Sequence, residues 1–438
     1  MLKIFKIFKQ ILFLVNILYI FGIEFLIYYI LTDFPNFIER LTIKLSRVNI
    51  LYVKLFQAFA LNNSLIDEKI NNKLLQFTDN APWSHSDIDL LELIEICDNF
   101  EIILKADNIT PINSGMISLV FKATRKSTLQ PVIIKMKRKN IEQKLNDGID
   151  NLLFVIYLLS FIPIINKYKI AEVINKNIEI IRNQTNFLEE VDNMNRIRNN
   201  CKHLKYVKIP ITNRIITEEY PNCIIMEYIE GIKINQIQKD DYEGFAKQVI
   251  KFGFVTTIIH GLTHGDLHAG NILFIKDNDD KKYPYKIGVI DFGIIYVIDS
   301  EYKCMLFDVL TQMFELEPRD SAIKILNSGI IDPPGIIQQI PKEDYENIIL
   351  FTSDIINETI NTSKKANQLQ LYKFISKLND YLSNSVVSNI GIRPSDNFIK
   401  TQLVLAMSHG ITLTLCKDDF MNLADKVINE LFHANMIM

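Results

Sequence analysis

The chain has 438 residues, 48% of them hydrophobic and 23% charged, which suits roughly three globular domains or lobes and excludes a disordered chain. A net charge of −3 argues against a nucleic-acid protein held mainly by phosphate contacts. Five scattered cysteines (Cys97, Cys201, Cys223, Cys304, Cys416) with no C-x-x-C pair argue against a disulfide scaffold or zinc site and fit a reducing compartment.

Ile11 to Thr32 is almost continuously apolar, interrupted by Asn16, Glu24 and Thr32 itself. As a helix it is about 33 Å long, enough for a hydrocarbon core of ~30 Å. Fifteen of these residues are Leu, Ile, Val or Phe. They contribute roughly −4 to −9 kcal/mol to insertion, against about +3 for a central Glu24. Residues 1–35 therefore read as a single membrane anchor closed by Pro35. The run is too long for a signal-peptide core, and the first 30 residues lack the Arg and Ser of a mitochondrial transit peptide. Lys3, Lys6 and Lys9 before it nearly balance Arg40, Lys44 and Arg47 after it, so the charges set no orientation.

Residues 36–100 carry apolar spacing near 3.6 through Phe37–Gln57, Asp67–Phe77 and Asp87–Phe100, a helical extension broken at Asn62-Asn63-Ser64 and Ala81-Pro82-Trp83-Ser84. Ile117–Ala123 and Pro131–Met136 are β-branched runs around a polar turn, the pattern of a hairpin. Residues 140–205 return to helix. Within them Leu152–Ile165 is apolar but too short to span, and contains Pro163. Residues 206–230 and 272–293 read as strands, and the last ~140 residues as helices. The order predicts an N-lobe with a helical insertion over 101–232 and an α-rich C-lobe over 233–438, with a ligand cleft between lobes.

The segment richest in chemistry is His264-Gly265-Asp266-Leu267-His268-Ala269-Gly270-Asn271, followed by Asp291-Phe292-Gly293 after a strand-like run. Upstream, Lys135 closes Val132-Ile133-Ile134-Lys135. Phosphoryl transfer needs charge neutralised on the phosphates by a lysine and a metal, and a carboxylate to orient the attacking group. Lys135 suits the phosphates, Asn271 and Asp291 are hard oxygen ligands for Mg²⁺, and Asp266 suits the orienting role. The spacing matches the kinase set of strand Lys, H-x-D-x-x-x-x-N and D-F-G. Glycine is scarce, 15 in the chain, yet Gly265, Gly270 and Gly293 fall in these loops, where tight backbone needs them.

These motifs resemble the UbiB/aarF-domain-containing (ADCK) atypical kinases, whose catalytic loop reads H-x-D-x-H-P-G-N; here Ala269 replaces the proline. The resemblance covers roughly residues 40–320. It makes Pro111 to Ala123, with Ser114, Gly115 and Val120, the nucleotide loop, and Ile224 to Gly231, with Glu227, the hinge that meets adenine. Glu190 aligns with the glutamate that pairs with the strand lysine. The family's K-x-G-Q helix corresponds to Lys54-Leu55-Phe56-Gln57, with Phe56 in place of glycine. Its E-x-D acids correspond to Gln184 and Asn186, both amides here.

The resemblance implies an α+β, protein-kinase-like two-lobed fold with a helical N-terminal extension. It also implies an atypical kinase or ATPase that binds ATP and Mg²⁺ and supports ubiquinone or related isoprenoid-lipid metabolism at a membrane. The partners it implies are a membrane lipid or isoprenoid and a lipid-biosynthesis protein complex, with no nucleic acid. In that reading Lys54 and Gln57 cover the cleft, and Lys135, Asn271 and Asp291 converge on one magnesium-bound triphosphate. Phe56, Gln184 and Asn186 favour the alternative, a nucleotide-binding pseudokinase scaffold with little turnover. A conventional protein kinase is the weakest reading.

Overall fold

The structure is a computed structural model that describes residues 2–49, 51–52, 81–104, 109–161, 178, 182–305, 316–366, 371–382, 387, 390–416 and 420–433. The chain divides into two compact units. Unit 1 comprises Met1–Asp192 and Ile211–Tyr228; unit 2 comprises Asn193–Pro210 and Ile229–Met438. Lys54 and Gln57 of the predicted cleft-covering helix lie outside the described residues, as does Asp67–Phe77.

Unit 1 opens with α1 (Leu2–Leu31) and α2 (Phe34–Val48). Pro35 does not close the apolar helix but sits in the first turn of α2, where the Asp33 carboxylate accepts the Asn36 N–H at 3.2 Å. Proline suits that position because its missing N–H would be unpaired there anyway. Phe13, Ile17, Ile20 and Tyr28 of α1 cluster with Phe37, Leu41, Leu45 and Val48 of α2. Glu24 is fully buried, paired with Arg40 at 2.8 Å and Lys44 at 2.7 Å. The carboxylate read from sequence as a cost to insertion is thus neutralised by cations one helix away. Leu12, Val15, Leu18, Tyr19, Phe25, Leu26 and Tyr29 leave another face of α1 exposed and apolar. Ile7–Leu31 is long and apolar enough to cross a membrane.

Then follow α3 (Leu90–Asn99), β1 (Ile102–Ile103), β2 (Asn113–Ser114), β3 (Ser118–Arg125), β4 (Pro131–Lys137) and α4 (Ile141–Leu159). Helix α5 (Phe187–Asn200) runs from unit 1 into unit 2, which also takes β5 (Val207–Lys208); α6 (Arg214–Glu219) and β6 (Cys223–Glu227) return to unit 1. The strands form an antiparallel sheet in the order β1-β3-β4-β6, with β2 on β3. The predicted hairpin is β3–β4, with Val120 opposite Lys135. Strand alternation sends Val132, Ile134 and Met136 into a core with Leu93, Ile96, Phe121 and Ile225, each such side chain worth roughly 1.5–3 kcal/mol on burial. Lys135 faces the other way. The run 206–230, predicted as strand, holds β5 and β6 but is interrupted by α6. Asn213 caps that helix by accepting the Ile215 N–H at 3.1 Å, and this side-chain cap outweighs the β-branched composition.

In unit 2, α7 (Tyr242–Phe254) continues into a π-helical turn, Val255–Ile259. Gly261, at φ +65°, reverses the chain into β7 (Leu262–His264). Next come β8 (Ile272–Lys276), β9 (Tyr285–Val289) and β10 (Ile295–Val297). Strands β8 and β9 form an antiparallel hairpin with β5 parallel to β9, while β10 pairs with β7. Phe245 of α7 packs edge-on against Phe274 and Tyr285 of that hairpin. The predicted C-terminal helices are α8 (Pro318–Leu326), α9 (Lys342–Ala366), α10 (Leu371–Leu382), α11 (Asp396–Leu415) and α12 (Phe420–His433). A short ladder, β11 (Ile331–Asp332) with β12 (Arg393–Pro394), joins them.

Candidate functional site

Of the residues singled out from sequence, unit 1 holds Ser114, Gly115, Val120, Lys135, Glu190 and Glu227, and unit 2 holds Asp266, Asn271 and Asp291.

In unit 1, Lys135 Nζ and Glu190 Oε1 lie 2.6 Å apart, their side chains 8% and 2% exposed. The α5 helix supplies Glu190 in its first turn, and Phe187 from the same turn lies under the ammonium with its ring centroid 5.6 Å away. Asn186 marks the start of α5: its Oδ1 accepts the Glu189 N–H at 3.2 Å. An amide caps a helix about as well as an acid, so Asn186 serves the start of α5 without needing a charge. Glu189 is exposed and turned to Asn186, not to Lys135.

Arg138, the residue that follows β4, is one that the motif reading passed over. It is 4% exposed. Its guanidinium donates to the Gly115 carbonyl at 2.8 and 3.0 Å, to Pro82 O at 2.9 Å, and to Ser114 Oγ at 2.8 Å, and it pairs with Asp87 at 3.0 Å. Ser114 Oγ donates in turn to Ala81 O at 2.7 Å. The Ser114 hydroxyl is therefore taken up by Ala81 and Arg138. Glu227 closes β6, where its backbone N–H reaches Ile211 O at 2.8 Å and its carboxylate accepts the Ile211 N–H at 3.3 Å.

In unit 2 the 264–271 loop is held largely by main chain. His264 is fully buried and pinned on both ring nitrogens: Nδ1 accepts the Asp266 N–H at 3.1 Å, and Nε2 meets the Asp291 carbonyl. Those partners fix the neutral tautomer with its proton on Nε2. Burial holds the imidazole below its ordinary pKa against the upward pull of Asp291 and Asp266. His268 Nδ1 accepts the Gly270 N–H at 3.1 Å. Both histidines thus serve loop geometry. Asn271 Nδ2 donates to Asp266 O at 2.9 Å, so Oδ1 is the atom this amide could offer a cation. Asp291 Oδ1 accepts the Gly293 N–H at 3.1 Å, and Phe292 is buried against the His264 ring. At Gly265 a Cβ would stand 2.6 Å from Ile294 Cγ2, so glycine is required by close approach. Lys233, a second residue missed from sequence, buttresses the loop through Gly270 O at 2.9 Å.

These donors fit Mg²⁺, which takes one or two protein oxygens and fills the rest of its shell with water and phosphate. Among the described residues no group of three His, Cys, Asp or Glu could hold a metal alone.

The ABC1 atypical kinase-like domain matches residues 78–323. The probable protein kinase UbiB of Shewanella oneidensis is 27% identical over 312 residues, 68% of this chain and 55% of that protein. That of Shewanella woodyi is 25% identical over 306 residues, 67% of this chain and 54% of the relative. The chain spans about half the length of these curated relatives. A Mycobacterium tuberculosis protein solved as its erythromycin complex superposes with a TM-score of 0.50 at 14% identity, covering 85% of this chain and 90% of that one, a likeness of fold. The chain belongs to the ABC1 atypical kinase-like family, the UbiB/aarF-domain-containing group, and has a protein-kinase-like α+β fold.

Proposed function

We propose that the protein binds Mg-ATP and acts as an atypical kinase or ATPase that supports ubiquinone or related isoprenoid-lipid metabolism at a membrane. The buried Lys135–Glu190 pair carries the reading. A buried ion pair adds little net stability, so its place on the strand lysine of a kinase-like domain calls for a functional reason.

Lys135 contacts the α- and β-phosphates and Glu190 holds its ammonium in place. Ser114, Gly115 and Val120 line the nucleotide loop, and the backbone at Glu227 meets adenine. Asn271 and Asp291 hold Mg²⁺. When bound, that ion neutralises charge on the phosphates. Asp266 orients the nucleophile and takes its proton, while His264, neutral and anchored at both nitrogens, keeps Asp266 and Asp291 in register. Lys54 and Gln57 restrict access, which favours water or a small lipid over a protein substrate. Helix α1 anchors the chain.

Hydrolysis of ATP by purified protein with Mg²⁺ tests this. Turnover in the wild type, lost in both Lys135→Ala and Asp291→Asn, supports the enzyme. Binding without turnover in the wild type selects the scaffold reading, which Gln184 and Asn186, amides in place of acids, favour. Transfer of phosphate to Ser, Thr or Tyr peptides would select a conventional kinase.

A further inference from the structure

Helix α1 is apolar on two faces. Phe13, Ile17, Ile20 and Tyr28 meet α2, while Val15, Leu18, Phe25 and Leu26, on the other face, are 58–63% exposed. Helix α2 is apolar on one face only. Phe37, Leu41 and Leu45 meet α1. Helical spacing puts Asn36, Glu39 and Arg47 on the opposite side, with Asn36 and Arg47 exposed. The two helices together are therefore one amphipathic element, with an apolar α1 surface and a polar α2 surface. Residues 2–48 carry six Lys or Arg against three acids. An apolar surface this long, joined to an excess of cations, matches an anionic lipid surface.

Two observations decide between lying on a membrane and crossing it. The apolar run Ile7–Leu31 is centred on Tyr19. Tyr19 is 66% exposed, and Asn16, three residues before it and so on the same edge of the helix, is exposed too. A crossing helix would hold both polar groups against hydrocarbon near the midplane, where nothing satisfies them. In the plane of the interface the same edge reaches the headgroups, where tyrosine is commonly found. The second observation is Glu24, fully buried against Arg40 and Lys44, whose side chains are 32% and 39% exposed. If both helices crossed together, Glu39 and a cation in excess would enter hydrocarbon. If α1 crossed alone, Glu24 would lose its partners, and Phe37, Leu41 and Leu45 would lose their cover. Each route is costly. On a surface neither cost arises, and the two cations extend to the headgroups.

We propose that α1 and α2 form a hairpin that lies in the plane of an anionic membrane surface, the outer face of α1 among the acyl chains and α2 toward water, and that α1 does not cross the bilayer. This rests on the reading of α1 as the anchor and is independent of the nucleotide chemistry. Both ends of α1 then stay on the side that carries the kinase-like domain. The hairpin is tied to the rest of unit 1 through α4. Gln10 Nε2 donates to the Asp150 carbonyl at 3.4 Å and Asn49 Nδ2 to the Lys144 carbonyl at 2.7 Å. Beyond that contact α4 exposes Leu153 and Tyr157, and Phe161 follows just past its end, each four residues from the last.

Labelling of the full chain, synthesised in the presence of sealed microsomes so that a crossing route is open, tests the orientation. Cys304→Ser and Cys416→Ser remove the two cysteines that are not buried. Single reporters then go to three exposed positions, Lys9→Cys, Thr32→Cys and Arg47→Cys. A membrane-impermeant maleimide added outside should label all three to within twofold of one another, with no gain on adding detergent. A gain of at least tenfold with detergent at Lys9→Cys or Thr32→Cys means that α1 crosses, and overturns the proposal while the anchor reading stands. Flotation with phosphatidylcholine vesicles, with and without phosphatidylglycerol, tests the surface. The wild type should float with the anionic vesicles and at least fivefold less with the neutral ones. Val15→Asp/Leu26→Asp, which changes only exposed side chains, should cut flotation at least tenfold with an unchanged unfolding midpoint. Equal flotation with both vesicles, or wild-type flotation of the double variant, overturns the proposal. Failure of the wild type to associate with either membrane overturns the anchor reading as well.

Discussion

The two units hold their functional groups in opposite ways. In unit 1 charge is met by charge through side chains: Glu190 on Lys135, Asp87 on Arg138, and Arg40 with Lys44 on Glu24. In unit 2 the loop side chains are tied to main chain: His264 to Asp266 N–H and Asp291 O, Asn271 to Asp266 O, Asp291 to Gly293 N–H. The difference teaches where a substitution costs fold and where it costs chemistry alone. Removing Glu190 in unit 1 takes a carboxylate from a buried ammonium. Changing the Asp291 or Asn271 side chain in unit 2 leaves a loop whose bonds run largely through the backbone.

The sharpest contrast is Glu190→Ala, which leaves the Lys135 ammonium buried without its carboxylate. We expect a loss of about 3–5 kcal/mol in stability, read by chemical denaturation. Asp291→Asn keeps the oxygen that accepts the Gly293 N–H and should stay within about 1 kcal/mol of wild type. Comparable losses in the two variants would erase the contrast. Next is Arg138→Met, which takes the guanidinium from the Gly115 and Pro82 carbonyls and leaves Asp87 with Lys144 and the Ser84 N–H. Roughly 2–4 kcal/mol should be lost, and urea midpoints check this.

Gly265→Ala forces a Cβ against Ile294 and should cost about 1–3 kcal/mol, with thermal melts as the measurement. The pH dependence is shallower. Burial lowers the pKa of His264, and His260 is brought down to about 4 by burial and then by the charges of His203 and Lys303. Both are neutral when folded, and from their ordinary value of 6.5 downward the unfolded chain binds the extra protons. Stability should therefore be flat above about pH 6.5 and fall below it, by up to about 1.4 kcal/mol per pH unit and group. His264→Asn should reduce the slope. Smallest is Asn186→Ala, which removes the α5 cap for about 1 kcal/mol, while Asn186→Asp should be nearly neutral.

The strand lysine, the hairpin and the 264–271 loop were legible as local features: alternation marks β3 and β4, and the loop motif is contiguous. What was not legible depends on distant partners or on short caps. Glu24 reads as a lone acid until Arg40 and Lys44 fold back onto it. Arg138 reads as part of the basic run Lys137-Arg138-Lys139, and only the fold shows it buried under Ala81, Pro82 and Gly115. Two caps were readable and were passed over: Asn213 before α6, and Asp33 two residues ahead of Pro35. The π-helical turn before β7 has no sequence signal that we know of.

The central claim, that Lys135 and the oxygens of Asn271 and Asp291 serve one nucleotide, is tested most directly by equilibrium binding of ATP with and without Mg²⁺. The account predicts that the wild type binds more tightly with the metal, that Asp291→Asn loses this gain, and that Lys135→Ala weakens binding in either condition. Equal affinities across the three proteins, indifferent to Mg²⁺, would contradict it.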